Sequence, residues 1–222
     1  EENLKPELDP MDPQQPVIFA IGAASTIFPV VTKTVAMFWS PLTGELGESY
    51  AGGRMAMTLF LAGYDAIVIT GSSDKPAYIT ISRNNVEFKD ARALWGLSCD
   101  EVGRVVRERE PGGGKRSIIR IGPAGENLVS YACVCVDTYR HFGRLGLGAV
   151  LGSKKLKAIS IVGDRDLPIK NFKEYFKVYQ ELYNRVTDTS IMSKYHDAGT
   201  PINIEPLNAA GGLPTKNLKQ SV

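Results

Sequence analysis

The sequence predicts an α+β fold with mainly antiparallel sheets, few helices and two similar halves. Short apolar segments of strand length alternate with glycine-containing turns. Two such segments flank Asn84-Asn85, a pair suited to the positive φ of a tight turn, which predicts an antiparallel hairpin. An internal repeat supports the two halves. In the first half, Gly53-Arg54 leads through a short helix and a Gly to the strand AIVITG, and the strand VIFAIG stands before this stretch. In the second half, Gly143-Arg144 leads in the same way to AISIVG, and SIIRIG stands before it.

The elements of the first half are predicted from their apolar runs. Residues 1–16 are proline-rich and are expected to form an extended lead-in. Strands are predicted at Val17–Ile21, 37–39 and Ala66–Ile69, with a short helix over 54–62. Residues 77–81 and 86–88 form the strands of the hairpin.

The second half contains the clearest helix, over residues 98–110. Ser98 is its expected N-cap, with Glu101 as the capping-box partner, and the run PGGG after residue 110 ends it. Strands are predicted at 118–121, 129–136 and 158–162, and a short helix at 146–151. A helix is predicted over 171–186 and an irregular segment over 199–222. We therefore expect one domain over 1–166, and over 167–222 a short helical and irregular segment that starts the connection to a second domain.

Composition and charge exclude several classes of function. The chain has 222 residues, of which 43% are apolar and 23% charged, as in an ordinary soluble globular protein. Its net charge of +2 arises from basic residues scattered among similar numbers of acids, so no nucleic-acid partner is indicated. No apolar run could span a membrane, and no signal peptide is visible, so a cytoplasmic location is expected.

The three cysteines are Cys99, Cys133 and Cys135. They are odd in number and lack a CxxC spacing, which indicates free thiols in a reducing compartment. Cys133 and Cys135 would share one face of a strand. Because only two His are available, no convincing four-ligand metal set can be assembled, and we expect these cysteines to be buried structural residues.

Four segments, taken in order, resemble a known family. They are SPLTG (40–44), LAGYDAIVITG (61–71), IGPAGENLVSYA (121–132) and GRLGLGAVLGSKKLKAISIVG (143–163). Together they resemble the N-terminal domain of the aldehyde ferredoxin oxidoreductase family, the tungsten-bispterin enzymes. The resemblance extends from about Asp9 to Val222, and it implies that this chain is the N-terminal part of a longer protein.

The resemblance implies a reaction and its cofactors. Enzymes of this family oxidise an aldehyde to a carboxylate at a tungsten held by two pterins, and electrons leave through a [4Fe–4S] cluster to ferredoxin. The cluster ligands of the family lie in later domains, and no CxxCxxxC occurs in this sequence. This domain is therefore expected to form one wall of the pterin site and not to catalyse alone. The implied partners are ferredoxin, a small aldehyde and the remaining domains of the same protein; a homodimer stays open.

The first candidate cofactor-binding residues are Arg140, His141, Gly143 and Arg144. Two guanidinium groups beside a Gly suit phosphate, because the planar fork of Arg donates two hydrogen bonds at once. The family reads R-A-A-G-R here and contacts the pterin and its phosphate, so Arg140, Gly143 and Arg144 match it. His141 and Phe142 replace two small residues, and we expect them either to displace ligand volume or to stack on the pterin.

The other candidates are Lys33, Tyr50 and Gly52. Lys33 stands where the family has an Arg or Lys that bridges the pterin and the cluster, and it keeps the charge without the bidentate fork. Gly52 fits a family Asn-x-Gly turn whose backbone meets the second pterin, whereas Tyr50 would retain only a backbone contact. A solvated Lys at a strand edge and a plain Gly turn account equally well for these residues.

Two other classes of protein share features with this sequence. Residues 146–151 nearly match the GxGxxG of dinucleotide-binding enzymes, but Leu151 replaces the third Gly and the following helix is too short for a crossover. A non-catalytic paralogue or subunit that keeps the fold and has lost the pterin site is the remaining alternative. The departures at Tyr50, His141 and Phe142, and the altered stretch before Lys33, favour it.

Overall fold

The computed structural model describes residues 5–221, which form two compact units that divide after Pro168. Within the described residues, the first unit contains two sheets and four helices. The second unit contains three helices and a two-stranded hairpin. All the candidate cofactor-binding residues, from Lys33 to Arg144, lie in the first unit.

The first sheet is antiparallel throughout, in the order β3-β2-β1-β4. Its strands are β1 (Val17–Ile21), β2 (Thr34–Trp39), β3 (Leu46–Ala51) and β4 (Ala66–Ile69), and helix α1 (Met55–Ala62) joins the last two. The sequence analysis missed β3 and began β2 three residues late. The buried positions of β3 are Gly47, Ser49 and Ala51, which are too small or too polar to give the apolar alternation that identifies a strand.

The second sheet is mixed, in the order β6-β5-β10-β7-β8-β9, and β5 with β10 is its parallel pair. Its strands are β5 (Ala77–Ser82), β6 (Asn85–Asp90), β7 (Arg116–Arg120), β8 (Val134–Val136), β9 (Arg140–Phe142) and β10 (Leu156–Val162). The accompanying helices are α2 (Cys99–Arg109), α3 (Pro123–Glu126) and α4 (Leu147–Ser153). The α+β class with mainly antiparallel sheets is confirmed.

Several local predictions can be compared with these elements. The hairpin of β5 and β6 and the capping box of Ser98 with Glu101 are confirmed. The strand predicted over 129–136 is wrong before Val134, because residues 129–132 form a turn in which the Ala132 N–H donates to the Val129 carbonyl. The lead-in is a series of turns over residues 5–16 and not an extended segment, while residues 1–4 lie outside the described part.

The second unit is more regular than the sequence indicated. The predicted helix over 171–186 corresponds to α5 (Phe172–Thr187). Residues 199–222 were expected to be irregular, yet the described part contains α7 (Ile204–Ala209) and the hairpin β11 (Pro214–Thr215) with β12 (Gln220–Ser221). Helix α6 (Ser190–Ala198) precedes them. Short helices and two-residue strands lack the periodicity that a sequence pattern needs.

The two sheets of the first unit share one connectivity. In the second sheet, β9-β8-β7-β10 stand in the same spatial order as β3-β2-β1-β4 in the first, and α4 precedes β10 as α1 precedes β4. Strand β1 pairs antiparallel with β4, which follows α1, and strand β7 pairs antiparallel with β10, which follows α4. Strand order does not by itself establish a repeat, so the internal repeat read from the sequence stays a prediction.

The main core lies between the two sheets. Phe19 and Phe38 of the first sheet, Leu59 of α1, and Ile119 and Ile159 of the second sheet belong to one buried cluster. A smaller cluster covers the opposite face of the second sheet, where Val102 and Val106 of α2 pack with Ile118 and Ala158. Burial on both faces fixes the second sheet, whose edge strand β9 carries candidate-site residues.

Helices α3 and α4 meet backbone to backbone through glycines. A Cβ at Gly152 would collide with the carbonyl oxygen of Gly125, and one at Gly125 would lie 2.7 Å from the carbonyl oxygen of Gly148. No side chain can move aside to relieve such a contact, because the obstructing atoms are main chain.

This contact predicts that Gly152→Ala destabilises the protein. Helix propensity alone would favour Ala by up to about 1 kcal/mol, whereas overpacking should cost about 1–3 kcal/mol. We therefore expect a lower free energy of unfolding, measured by chemical denaturation. Gly113→Ala is the matched control, because a Cβ at Gly113 meets no atom within 4 Å. A Gly152→Ala protein as stable as the parent would contradict this packing.

Candidate functional site

The segment 140–146 is held in place by burial of its third residue. Phe142 is fully buried, and its ring centroid lies 5.4 Å from that of Phe19 in β1. The expectation that Phe142 displaces ligand volume or stacks on a pterin is therefore wrong. Its side chain occupies the core between the sheets, where an aromatic ring stabilises by apolar burial.

Two serines of the first sheet region hold the loop after β9. The Ser49 hydroxyl accepts a hydrogen bond from the backbone N–H of Arg144 at 3.2 Å. The Ser40 hydroxyl donates to the carbonyl of Leu145 at 2.9 Å and accepts from the N–H groups of Leu42 and Thr43. The SPLTG turn and the Gly-rich loop, separate in sequence, thus form one structural unit. Both serines are buried.

Sequence analysis gave these two serines no role. A Ser that opens a Pro-x-x-Gly turn commonly accepts hydrogen bonds from the backbone just after it, so Ser40 could have been identified as a turn residue. Its bond to Leu145, 105 positions away, has no local sequence signal.

Arg140 lies over the turn that follows β3. A Cβ at Gly53 would lie 3.2 Å from Cγ of Arg140 and 3.7 Å from Oδ2 of Asp137, and one at Gly52 would lie 4.0 Å from Nε of Arg140. Asp137 is itself fixed, since its carboxylate accepts hydrogen bonds from the Ser117 hydroxyl and the Ile118 N–H. Arg140 and Gly52, chosen separately from the sequence, are therefore neighbours.

Lys33 and Tyr50 approach the same place from the first sheet. Lys33 immediately precedes β2, where Thr34 is paired with Ala51 and Val35 with Tyr50. Both Lys33 and Tyr50 are exposed. The Tyr50 hydroxyl donates to Glu48 at 2.7 Å, and this hydrogen bond raises the pKa of Tyr50. Lys33 thus lies beside the Ala51–Gly52 end of β3.

His141 has a different orientation from its neighbours. Side chains alternate along a strand, and Phe142 points into the core between the sheets, so the His141 side chain lies on the opposite face. There its cross-strand partner is Cys135. Only the backbone of His141 remains available to the surface formed by Arg140 and Gly52.

The cations at this surface are exposed and uncompensated. Lys33, Arg140 and Arg144 are all solvent-exposed. Within residues 5–221, none of the three belongs to an ion pair. Exposed guanidinium and ammonium groups outside ion pairs can bind an anion, and phosphate suits the planar fork of Arg in particular.

Gly143 leaves open space between the two arginines. Its φ is not positive, and a Cβ built on it would meet no atom within 4 Å. The packing of the chain therefore does not require glycine at this position. A bare backbone flanked by cations fits the close approach of a phosphate-bearing group.

The described residues hold no ready metal site. No group of three or more His, Cys, Asp or Glu side chains suited to a metal ion occurs within residues 5–221.

The expectation that Cys133 and Cys135 are buried structural residues is wrong, because Cys133 is exposed and Cys135 half-buried. Within the described chain, no helix is both long and apolar enough to cross a membrane.

Comparisons with known proteins agree on one family. The model of the "Aldehyde ferredoxin oxidoreductase, N-terminal domain" matches residues 1–163. The tungsten-containing aldehyde ferredoxin oxidoreductase of Pyrococcus furiosus is 37% identical over 99% of this chain and 36% of its own length. The aliphatic sulfonate oxidoreductase, WOR-like subunit, of the same organism is 30% identical over 82% of the chain and 31% of its own length.

A solved structure is similar to this chain in three dimensions. The active site complex BamBC of benzoyl coenzyme A reductase, in complex with 1,5 dienoyl-CoA, matches with a TM-score of 0.77 and 31% identity. The match covers 88% of this chain and 29% of that chain. The present chain thus spans about a third of the length of the curated tungsten-containing relatives.

The serine contacts predict that Ser40→Ala loosens the Gly-rich loop. Losing the hydrogen bonds of this buried hydroxyl should lower the free energy of unfolding by about 1–3 kcal/mol. Amide hydrogen exchange over residues 143–146 should also become faster. The control is Thr43→Ala, which removes an exposed hydroxyl from the same turn. Unchanged exchange of the loop in Ser40→Ala would show that this serine does not hold it.

Proposed function

Because this chain belongs to the aldehyde ferredoxin oxidoreductase family, we propose that it forms the tungstopterin-facing wall of an aldehyde:ferredoxin oxidoreductase. The proposed reaction is oxidation of an aldehyde to a carboxylate, with electrons passing through a [4Fe–4S] cluster to ferredoxin. Since the chain spans about a third of its curated relatives, the cluster ligands and the substrate channel are assigned to the remaining domains. A small aldehyde, ferredoxin and those domains are the proposed partners; a homodimer and a cytoplasmic location remain predictions.

The observation that carries the proposal is the open backbone of Gly143 between two unpaired arginines. Three features converge there: exposed cations, a glycine that its own chain does not require, and a loop held by Ser40 and Ser49. Neither packing nor a positive φ requires glycine at position 143; the same holds for Gly113, but Gly143 lies directly before an exposed arginine and two residues after the candidate His141.

The residues divide into distinct proposed roles. Arg140 and Arg144 donate charge-assisted hydrogen bonds to a pterin phosphate. Gly143 lets that phosphate approach the main chain, and Gly52 does the same for the second pterin. Lys33 adds a point charge at the end of β3, with Tyr50 beside it, and the backbone of His141 completes the segment. When bound, the tungsten-bispterin group supplies the redox chemistry, while the protein supplies placement and electrostatics.

A second corner of the first unit carries the same Gly-Arg pair at the same place in the connectivity. Gly53 and Arg54 stand between β3 and α1 as Gly143 and Arg144 stand between β9 and α4. Arg54 is exposed and, within residues 5–221, belongs to no ion pair. Two such corners support a cofactor with two phosphate-bearing halves.

The direct test is the metal content of the protein that carries this sequence, purified without air. About one tungsten and about four irons per chain would support the proposal. Iron without tungsten or molybdenum would indicate a redox relative whose pterin site has changed, and so would contradict it. The absence of all three metals would support the alternative of a non-catalytic relative that keeps the fold.

The tungsten content of a Gly143→Ala variant tests whether the loop of Gly143 contacts the cofactor. A methyl group in the open space should obstruct the phosphate, and we expect about tenfold less bound tungsten. The free energy of unfolding should change by less than about 0.5 kcal/mol, since nothing in the chain contacts the new methyl group. Gly113→Ala, equally open but in the loop after α2, is the matched control. Full tungsten content in Gly143→Ala would remove this loop from the site.

A further inference from the structure

Two cysteines that are far apart in sequence interact in the structure. Cys99 is the first residue of α2, and Cys135 lies in β8 with Arg120 of β7 as its cross-strand partner. The Cys99 thiol lies 3.9 Å from the carbonyl oxygen of Arg120. Because Cys135 is paired with that same Arg120, its thiol is close enough to be the largest influence on the acidity of Cys99. Neither cysteine is in a disulfide, and both are half-buried.

Buried cations surround this pair. The Arg120 side chain is 2% exposed, and its Nε donates to the backbone carbonyl of Cys99. Lys157 is fully buried and close enough to Cys99 to stabilise negative charge there. Cys99 also occupies the first turn of an 11-residue helix, where the partial positive charge of the helix dipole stabilises an anion.

These surroundings separate the acidities of the two thiols. The neighbouring Cys135 thiol, aided by the charges of Arg120 and Lys157, lowers the pKa of Cys99 to about 7 against the opposing effects of burial and of the Asp100 carboxylate. Cys99, together with burial, raises the pKa of Cys135. One thiol therefore ionises near neutral pH while its neighbour stays protonated, the division expected of a nucleophile and a resolving thiol.

We propose that Cys99 and Cys135 are an oxidation site that reacts with hydroperoxides and closes to a reversible disulfide. The Cys99 thiolate attacks one peroxide oxygen, the O–O bond breaks, and the leaving hydroxide takes a proton to become water. The Cys135 sulfur then attacks the Cys99 sulfenic acid, so that the S–S bond forms, the S–O bond breaks and a second water leaves. The two electrons given up by the thiols reduce hydrogen peroxide to two waters.

The side chains of this site lie on the other face of the second sheet from the proposed cofactor surface, although Cys135 is paired with His141 of β9. Cys135 lies on the face of the second sheet that carries Arg120 and α2, whereas Arg140 lies over the turn after β3. The mapping of thiols does not require bound tungsten. Failure of one proposal can therefore be told from failure of the other.

The test is thiol mapping after treatment of the reduced protein with one equivalent of hydrogen peroxide. Remaining thiols are alkylated and located by mass spectrometry. We expect a peptide pair joined through Cys99 and Cys135 that has lost two hydrogens and is restored by dithiothreitol. Cys133, which is exposed, should stay alkylated in the same sample. Alkylation of Cys99 and Cys135 to the same extent as Cys133 would overturn the proposal.

Single variants distinguish the role of each thiol. Cys135→Ser should leave Cys99 as a sulfenic acid that dimedone traps, because no resolving thiol remains. Cys99→Ser should abolish the oxidation and leave Cys135 alkylated. Cys133→Ser is the matched control and should form the disulfide to the same extent as the parent. A disulfide that includes Cys133 in the parent protein would also overturn the proposal.

Discussion

The loop after β9 is attached to a sheet to which β9 does not belong. Phe142 packs on Phe19 of the first sheet, and the hydroxyls of Ser40 and Ser49 bond to the backbone just beyond it. These contacts act on main chain and core, so the positions of Arg140 and Arg144 do not depend on any contact their own guanidinium groups make. The position of the candidate site relative to the first sheet depends on this attachment.

The buried Lys157 and the exposed cations of the candidate site differ in whether a carboxylate balances their charge. The buried Lys157 ammonium pairs with Glu126 and also donates to the carbonyl of Leu97. Such pairing avoids the cost of an uncompensated charge in the interior. The glycines differ in a similar way. Neighbouring backbone atoms pack closely against Gly125 and Gly152, whereas the space beside Gly143 is open. The site combines two exposed arginines outside any described ion pair with an unfilled glycine and a loop that buried serines hold in place.

Sequence reasoning identified the family, the hairpin and the capped helix α2, because these depend on local pattern and on motifs. It missed β3, whose inward positions are small or polar, and it placed Phe142 at a ligand. The direction of a side chain in a three-residue strand depends on register with the neighbouring strand, which no local pattern records. The contact between Cys99 and Cys135 arises from packing of α2 on the second sheet, so spacing in the sequence could not reveal it.

We propose that the loop of Arg140, Gly143 and Arg144 faces a tungstopterin. An experimental structure of the protein purified with its metal tests this proposal. Pterin density is expected at the open face of Gly143, with a phosphate within hydrogen-bond distance of the Arg140 or Arg144 guanidinium group. A bound pterin elsewhere, with this loop facing only water, would contradict it.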